Sequence, residues 1–388
     1  MAFLENIPLA PFTTLGVGGP ARWFVETGDE NETLTAIRFA RENHLPHFIL
    51  GGGSNLLVSD DGFPGVVIHV AGSNAEWTDE GNGTATIVAS AGTDWDTVVQ
   101  LAVDKNCAGI ECLAGIPGSV GGTPVQNVGA YGQEVSHSIV RVRALDLEAE
   151  EGIDLTAADC GFSYRRSIFN TTYIGRYAIT RVVYSLELDG LPHLAYRDVK
   201  QYFAERAIAH PSLAETAAAV RIIRARKGML LDEHDPDSRS AGSFFKNPVV
   251  PAATIPRLAV LANCRADEVP QFPAGSGHTA ADEMVKLSAA WLIELAGFRK
   301  GHTMGRAGLS TKHVLAIINR GGATASEILA LRDSILDAVQ ARIAIRLEQE
   351  PDMLGFPPPH CAAPATAPAP PPAPPPPAPA PPRAPLPA

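Results

Sequence analysis

The stretch FILGGGSNLLVSD, residues 48–60, places three consecutive glycines between two apolar runs. Glycine has no Cβ, so main-chain N–H groups in such a stretch can approach an anion closely and form a concavity for phosphate. Ser54 and Asn55 follow and could add side-chain donors. No Lys-Ser/Thr pair follows as in a P-loop, and the apolar residues continue as a strand rather than opening a helix as in G-x-G-x-x-G motifs. The stretch therefore predicts a phosphate site or a tight turn.

A second glycine-rich stretch, AGIPGSVGGTPVQNVGAYGQEV, spans residues 114–135. Because it carries few large side chains, this segment must wrap a ligand mainly by its backbone. Its glycines are Gly115, Gly118, Gly121, Gly122, Gly129 and Gly132. Two such loops in one chain indicate a long ligand with a pyrophosphate and a flat ring. The residues alone favour a dinucleotide or a flavin, bound without a Rossmann unit.

Around these loops, strand and helix patterns alternate, which predicts an α+β or mixed α/β protein of two or more lobes. Helical spacing, with Asp94 as an N-cap and Gly228 as a stop, predicts helices at 31–44, 94–106, 216–228, 289–298 and 326–345. Short apolar or alternating runs predict strands at 21–27, 47–50, 65–70, 84–92, 138–147, 177–188, 313–320 and 346–354.

The composition is that of a globular protein, with 45% hydrophobic and 19% charged residues. A formal net charge of -11 and the lack of a basic block argue against nucleic-acid binding. No apolar run has the length of a membrane span, and the N-terminus lacks a signal-peptide pattern, so we expect a cytoplasmic protein. The five cysteines are scattered without a CxxC pair, which predicts free thiols and no metal site.

The C-terminal segment, residues 357–388, differs from the rest of the chain. It holds 17 of the 33 prolines, mixed mostly with alanine. Such a composition cannot form a ladder or a core, which predicts a disordered, extended tail. The tail could dock a partner or be dispensable.

Six separated stretches together resemble one family. They are LGGGSNLLV, GIECLAGIPGSVGGTPVQNVGAYG, CGFSYRRSIF, AGSFFKNPVV, AAWLIELAGF and LEQE, in this order. The chain, from about Pro11 to Gly355, resembles the UDP-N-acetylenolpyruvoylglucosamine reductases, flavoenzymes of early peptidoglycan synthesis. Tyr196 in HLAYRDV matches the tyrosine of the branch called type I, which carries an extra loop.

The resemblance implies a fold of the vanillyl-alcohol-oxidase type, with non-covalent FAD and with NADPH as hydride donor. It divides the chain into two FAD-binding lobes, 1–72 and 73–205, and an α/β substrate-binding domain, 206–356. The last strand of that domain, which carries Glu350, would return to the active site. The resemblance places the FAD contacts at Gly51, Gly52, Gly53, Ser54, Asn55, Gly115, Pro117, Gly118, Ser119, Gly121, Gly122, Asn127 and Gly129.

The implied reaction transfers a hydride to C3 of an enolpyruvyl ether and a proton to C2. The site therefore needs cations or hydrogen-bond donors around a carboxylate and one positioned acid. The resemblance selects Arg165, which follows Tyr164 in SYRRS, rather than Arg166, and it makes Ser243 the proton donor. Taken alone, the arginine pair could be a solvated surface and Ser243 a turn residue.

Two glutamates, Glu348 and Glu350, lie on the strand predicted at 346–354, where both would point to one face. The family pattern selects Glu350. A neutral or proton-sharing Glu350 would avoid repelling the substrate carboxylate.

Substrate contacts implied by the resemblance are Tyr164, Tyr196, Lys227 and Asn247, with Lys227 at the diphosphate. Lys227 could equally serve as a cation at the C-terminus of a helix. The connector between Lys227 and Ser243 is longer and more acidic than in the shortest family members, which affects the placement of Lys227. Two other functions fit less well: a flavin oxidase or dehydrogenase acting on another small substrate, and a flavin-binding scaffold without activity.

Overall fold

The first lobe is a four-stranded sheet beside one helix in the computed structural model, which describes residues 1–274 and 283–357. Strands β2, β5 and β3 run parallel, and β1 joins the sheet edge antiparallel to β2. Helix α1 begins at its N-cap Asp29, whose side chain accepts from Glu32 N, and buries Ala36, Ile37 and Ala40 against the sheet. The elements are β1 (Leu4–Pro8), β2 (Pro20–Thr27), α1 (Glu30–Glu42), β3 (His47–Leu50), β4 (Leu56–Val58) and β5 (Phe63–Val70).

The second lobe is built on an antiparallel sheet of order β12-β11-β13-β7-β6, with β8 pairing with β13. Helix α2 begins at Asp94, which accepts from Thr97 N, and places the buried Trp95 near Tyr184 in the core. The elements are β6 (Ala75–Asp79), β7 (Thr84–Ser90), α2 (Trp95–Asp104), β8 (Cys107–Ala108), β9 (Gly129–Ala130), β10 (Gln133–Glu134), β11 (Ile139–Asp146), β12 (Glu151–Thr156) and β13 (Tyr177–Leu188).

The remaining residues form helices and two three-stranded sheets, and their last strand returns to the first lobe. Strand β20 pairs in parallel with β4, so that Asp352 lies opposite Leu56. Helix α7 begins with a capping box of Thr324 and Glu327, and Asp60 from the first lobe accepts from the N–H of Ala325. The elements are α3 (Arg197–Ala204), α4 (Leu213–Arg226), β14 (Val249–Pro251), α5 (Ile255–Ala262), β15 (Gln271–Pro273), β16 (Met284–Leu287), α6 (Ala289–Leu295), β17 (Thr303–Met304), β18 (Ala307–Leu309), β19 (Ile317–Asn319), α7 (Ala325–Ile343) and β20 (Asp352–Leu354).

The five predicted helices all occur, as α1, α2, α4, α6 and α7, and Asp94 is confirmed as an N-cap. Helices α3 and α5 carry no strong signal in the sequence, because each is only eight residues long. The strand predicted at 346–354 is wrong in extent: only Asp352–Leu354 forms a strand, and the residues before it are irregular.

Met1–Gly355 form one compact unit. The predicted proline-rich tail lies outside the described residues from position 358 onward. None of the described helices combines the length and the apolar composition that a membrane span requires. The described cysteines, Cys107, Cys112, Cys160 and Cys264, are free thiols.

Candidate active site

One cavity of about 1130 Å³ contains both glycine-rich loops in its wall. It exceeds the range of about 300–1,000 Å³ usual for small-ligand sites, so it has room for a dinucleotide and part of a second ligand. The first lobe contributes residues 47–56, the second lobe contributes residues from 116–131 and 164–179, and the remaining wall comes from later segments that include 238–247 and 349–353. Most of the site residues predicted from the sequence meet in this cavity.

The three consecutive glycines allow the two loops to pack backbone against backbone. A Cβ on Gly51 would lie 2.6 Å from Ser119 Oγ, and one on Gly52 would lie 2.6 Å from the Cα of Gly118. Gly53 has a φ of +58°, and a Cβ there would lie 1.9 Å from the carbonyl oxygen of Phe12. The glycines are therefore needed for the two loops to pack together, whether or not an anion also approaches their N–H groups.

The packed loops leave a group of main-chain donors without a protein partner. The N–H groups of Gly53, Ser54, Asn55, Gly118 and Ser119 donate to no acceptor within the part of the chain that the structure describes. Unpaired backbone donors at a partly buried site require a ligand or water. Five of them in two adjoining loops suit a pyrophosphate. Gly122 also lines the cavity, and no other described residue has an atom within 4 Å of the position its Cβ would take, apart from its chain neighbours, which leaves space for a ligand. These observations fit FAD.

Two of the predicted cofactor contacts, Gly115 and Asn127, do not lie in the cavity wall. The N–H of Gly115 donates to Asp96, and its carbonyl accepts from Arg224 Nε. Asn127 is buried, and its side chain donates to Glu134 Oε2 and to the carbonyl of Ser163. Both residues are therefore bonded to other protein groups, and their contact with FAD stays a prediction, whereas Pro117, Gly121 and Gly129 do line the cavity.

Arg165 projects into the cavity from a tight two-residue turn. Ser163 and Arg166 exchange two backbone hydrogen bonds of 3.0 Å across the turn, and Arg165 has a φ of +57°. A non-glycine residue in this left-handed region stores strain, which is typical of functional sites. The Arg165 side chain is 19% exposed, whereas Arg166 is exposed and lies outside the cavity wall.

The guanidinium of Arg165 has two partners. Nη2 donates to the carbonyl of Gly129 at 2.7 Å, and Nε lies 2.9 Å from Glu350 Oε1, an ion-pair contact whose geometry falls short of a hydrogen bond. Burial disfavours the charge of Arg165, but Glu350, together with Tyr164 and Glu134, more than offsets this effect, so the pKa of Arg165 is raised. Arg165 is therefore a fixed cation at this end of the cavity.

Backbone hydrogen bonds hold Ser243 and Glu350 in one place. The N–H of Glu350 donates to the carbonyl of Phe244 at 2.9 Å, and Asn55 Nδ2 donates to the carbonyl of Glu350 at 3.2 Å. Ser243 lies between Gly242, which has a φ of +71°, and the fully buried Phe244. Its Oγ makes no hydrogen bond with the described residues, so it is available to a ligand in the cavity.

The two glutamates that the sequence places on one strand face differ in environment. The Glu350 side chain is 12% exposed beside Arg165, whereas that of Glu348 is 64% exposed and lies 3.8 Å from Lys246. Residues 346–351 do not form a regular strand, although Gln349 between the two glutamates makes an isolated antiparallel bridge with Phe245. The choice of Glu350 now has a structural basis in its burial and its contact with Arg165.

The four residues predicted to bind the substrate all line the cavity. Lys227 is the C-cap of α4, its Nζ lies 2.5 Å from Asp198 Oδ2, and the ring of Tyr131 lies 5.6 Å away. Tyr196 is the N-cap residue of α3 and packs edge-on against Tyr131. Asn247 accepts from Ala289 N through its Oδ1, and its amide nitrogen donates to no acceptor in residues 1–274 and 283–357.

Burial raises the pKa of Tyr164, so its hydroxyl remains protonated at neutral pH. Lys286 Nζ lies 4.3 Å from the centre of the Tyr164 ring, and the guanidinium carbon of Arg165 lies 5.4 Å from it. Both distances suit cation–π contacts. The ring of Tyr164 therefore contacts two cations, Lys286 and Arg165, at the end of the cavity where Arg165 lies.

Sequence reasoning missed Arg224, Lys286, His313 and Asp198. Arg224 lies one helical turn before Lys227 on α4, so helical spacing could have indicated that both point to the same side. Lys286 and His313 carry no such signal, because Lys286 lies on a strand of only four residues and His313 lies outside regular secondary structure. Asp198 was missed because α3 itself was not predicted.

Two family models match the chain, and the first defines the class of protein. The model described as an FAD binding domain matches residues 21–151, which include both glycine-rich loops. The fold and the cavity thus define an FAD-binding protein, and the predicted α+β, FAD-binding fold is confirmed. The second model, described as the C-terminal domain of UDP-N-acetylenolpyruvoylglucosamine reductase, matches residues 234–354.

Curated relatives extend this similarity over nearly the whole chain. The UDP-N-acetylenolpyruvoylglucosamine reductase of Thermobifida fusca is 42% identical over 91% of this chain and 98% of its own. That of Nocardia farcinica is 44% identical over 90% and 89%. The crystal structure of the Thermus caldophilus reductase superposes with a TM-score of 0.58 at 28% identity, over 91% of this chain and 98% of its own. The chain belongs to the UDP-N-acetylenolpyruvoylglucosamine reductase family.

Proposed function

We propose that this chain catalyses the NADPH-dependent reduction of UDP-N-acetylglucosamine enolpyruvate to UDP-N-acetylmuramate, a step of peptidoglycan synthesis. The observation that carries the proposal is the convergence of Arg165, Ser243 and Glu350 in the cavity that also contains both glycine-rich loops. When bound, FAD would accept a hydride from NADPH and deliver it to C3 of the enolpyruvyl group. The backbone donors of Gly53 and Gly118 would hold its pyrophosphate without a covalent link.

Arg165 would bind the carboxylate of the enolpyruvyl group. Hydride arrival at C3 places negative charge on C2 and on this carboxylate, so a cation fixed beforehand stabilises the transition state more than the substrate. The contact between Arg165 and Glu350 is consistent with this role, because Glu350 fixes the guanidinium and balances its charge while the site is empty of substrate. The attraction between Arg165 and Glu350 then offsets part of the free energy needed to remove both charges from water.

Ser243 would donate the proton to C2. Its Oγ has no partner among the described residues, and the buried Phe244 and Phe245 exclude water from one side. A serine hydroxyl is a weak acid, so the positive charge of Arg165, which lines the same cavity, would lower the cost of losing the proton. Ser243 as the acid and Arg165 as the cation would thus protonate C2 without a histidine.

The diphosphate of the sugar nucleotide would lie at the other group of predicted contacts, Lys227 and Tyr196. Lys227 is paired with Asp198 at 2.5 Å, so an incoming diphosphate must share or replace that carboxylate. Tyr131 and Tyr196 offer an apolar surface beside the charge. Asn247 would add a neutral donor.

The cytoplasm is the compartment we propose for this reaction, which suits the scattered free thiols. The division into lobes at 72 and 205, and a docking function for the tail, remain predictions.

A steady-state assay tests the proposal. Consumption of NADPH should depend on the enolpyruvyl sugar nucleotide, and mass spectrometry should find a product that has gained two hydrogens. Rapid NADPH consumption with oxygen and no sugar nucleotide would instead indicate a flavin oxidase. Bound FAD without either reaction would indicate a scaffold.

A further inference from the structure

Glu111 is a fully buried carboxylate that lies just before the second glycine-rich loop and outside the cavity wall. Its Oε2 accepts from Gly109 N at 2.8 Å, and its Oε1 accepts from Gln133 Nε2 at 2.8 Å and from His193 N at 2.7 Å. Within the part of the chain that the structure describes, no side-chain nitrogen of a lysine, arginine or histidine lies within 4.0 Å of it. Burial of a carboxylate among neutral donors is costly. Its three hydrogen bonds join segments that are far apart in the sequence.

Gln133 connects Glu111 to the hairpin that carries Tyr131. Strands β9 and β10 flank Tyr131 and Gly132, which are the two residues of the hairpin turn. Their φ values, +50° and +88°, are those of a type I′ turn. The Gln133 side chain is fixed at both ends of its amide, because its Oε1 accepts from Cys112 N at 2.7 Å while its Nε2 donates to Glu111. A tyrosine with positive φ is strained, so an anchor next to the turn helps to keep Tyr131 in place.

His193 connects Glu111 to the segment that carries Tyr196. Besides the hydrogen bond from its N–H to Glu111, its carbonyl accepts from Cys112 Sγ at 3.2 Å. The ring of Tyr196, three residues later, packs edge-on against Tyr131, with 5.4 Å between the ring centres. Both tyrosines line the cavity, whereas Glu111 and His193 do not. Glu111 therefore joins, from behind the cavity wall, the two segments whose tyrosines meet in that wall.

The two tyrosines lie beside Lys227, the predicted contact of the diphosphate. Lys227 Nζ lies 5.6 Å from the centre of the Tyr131 ring, which suits a cation–π contact. The same Nζ is paired with Asp198, two residues after Tyr196. The ammonium group is thus held between the hairpin turn and the start of α3, which are the two places that Glu111 connects.

We propose that Glu111 is a positioning residue for the diphosphate of the sugar nucleotide, an inference that rests on the proposed function. It acts from outside the cavity, by holding the hairpin and the segment before α3 at a fixed distance, so that Tyr131 and Tyr196 stay packed beside Lys227. The diphosphate takes no part in the chemical step, so its contacts contribute equally to the substrate complex and to the transition state. Loss of Glu111 therefore weakens binding and leaves the chemical step unchanged.

The replacement Gln133→Met tests the connection to the hairpin. It removes one hydrogen bond of Glu111 and leaves the carboxylate its two backbone donors. KM for the enolpyruvyl sugar nucleotide should rise at least about tenfold, because a small misplacement of binding groups has effects of this size. At saturation, kcat should stay within about threefold of wild type. The inhibition constant of UDP, which carries the diphosphate without the sugar, should rise together with KM.

Glu111→Leu removes all three hydrogen bonds and should raise KM at least as much as Gln133→Met. If this variant does not fold, Gln133→Met alone decides, because it keeps the buried carboxylate. Thr33→Val is the matched control: it removes a buried hydrogen bond to Thr27 in the first lobe, outside the cavity wall. It should leave both KM and the inhibition constant of UDP unchanged.

Either of two results would overturn the proposal. One is a folded, FAD-loaded Gln133→Met variant in which KM and the inhibition constant of UDP change by less than about threefold. The other is an equal rise of KM in Thr33→Val, which would assign the effect to a general loss of stability. A wild-type protein that binds FAD but does not turn over the enolpyruvyl substrate contradicts the proposed function itself, so the two failures are distinguishable.

Discussion

Arg165 Nε lies 2.9 Å from Glu350 Oε1, although the two residues come from the second lobe and from the end of the described chain. The contact depends on two local features. The left-handed turn at Arg165 directs its side chain inward, and the pairing of β20 with β4 brings Glu350 back to the first lobe. The last segment of the compact unit therefore completes the site, and residues that are distant in sequence form one charge pair.

Loss of this cation should impair only the second half of the reaction. Arg165→Gln should slow reoxidation of reduced FAD by the enolpyruvyl substrate by at least about 100-fold, because it removes a donor placed where charge develops. Reduction by NADPH should stay within a few fold of wild type. Stopped-flow absorption of the flavin measures both steps. Arg166→Gln, at the exposed neighbouring position, is the control, and an equal loss in both variants would refute the role of Arg165.

Removal of the Ser243 hydroxyl should have a similar kinetic signature with little effect on binding. Ser243→Ala should slow reoxidation by at least about 100-fold, since a positioned proton donor typically contributes that much. The dissociation constant of the sugar nucleotide should be almost unchanged. Ser138→Ala is a suitable control, because Ser138 donates to the carbonyl of Gly109 in the second lobe, outside the cavity wall. A Ser243→Ala variant that reoxidises at the wild-type rate would exclude the serine as the acid.

Alanine at two of the loop glycines should separate folding from cofactor binding. Gly53→Ala places a Cβ 1.9 Å from the carbonyl oxygen of Phe12 at a φ of +58°, so it should lower the free energy of unfolding by at least about 2 kcal/mol. The Cβ of Gly122→Ala meets nothing within 4 Å among the described residues beyond its chain neighbours, so this variant should leave stability unchanged while weakening FAD binding. Denaturation of the FAD-free protein and flavin titration measure the two effects. Equal FAD affinity in Gly122→Ala and wild type would mean that FAD does not occupy this part of the cavity.

Stability should fall on acidification because of His313. Burial, together with Lys227 and Lys300, lowers the pKa of His313 from its ordinary 6.5 to about 4. Between these values the unfolded chain binds a proton that the folded protein does not, so the free energy of unfolding decreases as the pH falls, by roughly up to 3 kcal/mol. Above pH 6.5 this residue should contribute no pH dependence.

Chemical denaturation at about pH 7 and pH 5 measures this effect. His313→Gln should lose less stability on acidification than wild type, and His234→Gln, at an exposed site, should behave like wild type. Identical pH dependence of wild type and His313→Gln would show that His313 is not a buried neutral group.

Much of the site could be predicted because its motifs are local in sequence. Neighbouring residues determine the backbone conformation of the glycine stretches at 51–53 and 115–122 and of the SYRRS turn. They also determine where a capped helix begins, as Asp94 does for α2. The prediction failed where tertiary contacts decide. The motif does not reveal that Gly115 contacts Asp96 and Arg224, or that Asn127 contacts Ser163. The strand predicted around Glu348 and Glu350 is limited to the three residues that find a partner in β4.

The pairing of charged side chains also could not be predicted from the sequence. The sequence does not reveal which cation of α4 is paired, because Arg221 and Lys227 find Asp96 and Asp198 far away in the chain, whereas Arg224 finds none within the described part. Burial, which distinguishes Glu350 from Glu348 and Arg165 from Arg166, likewise arises from packing between lobes.

The absorption spectrum of the purified protein, followed through two anaerobic additions, tests the central claim most directly. The protein should carry the yellow colour of oxidised FAD, lose it on addition of NADPH, and regain it on addition of UDP-N-acetylglucosamine enolpyruvate. A protein that takes up no FAD, or whose bleached flavin stays reduced in the presence of the enolpyruvyl substrate, would contradict the account.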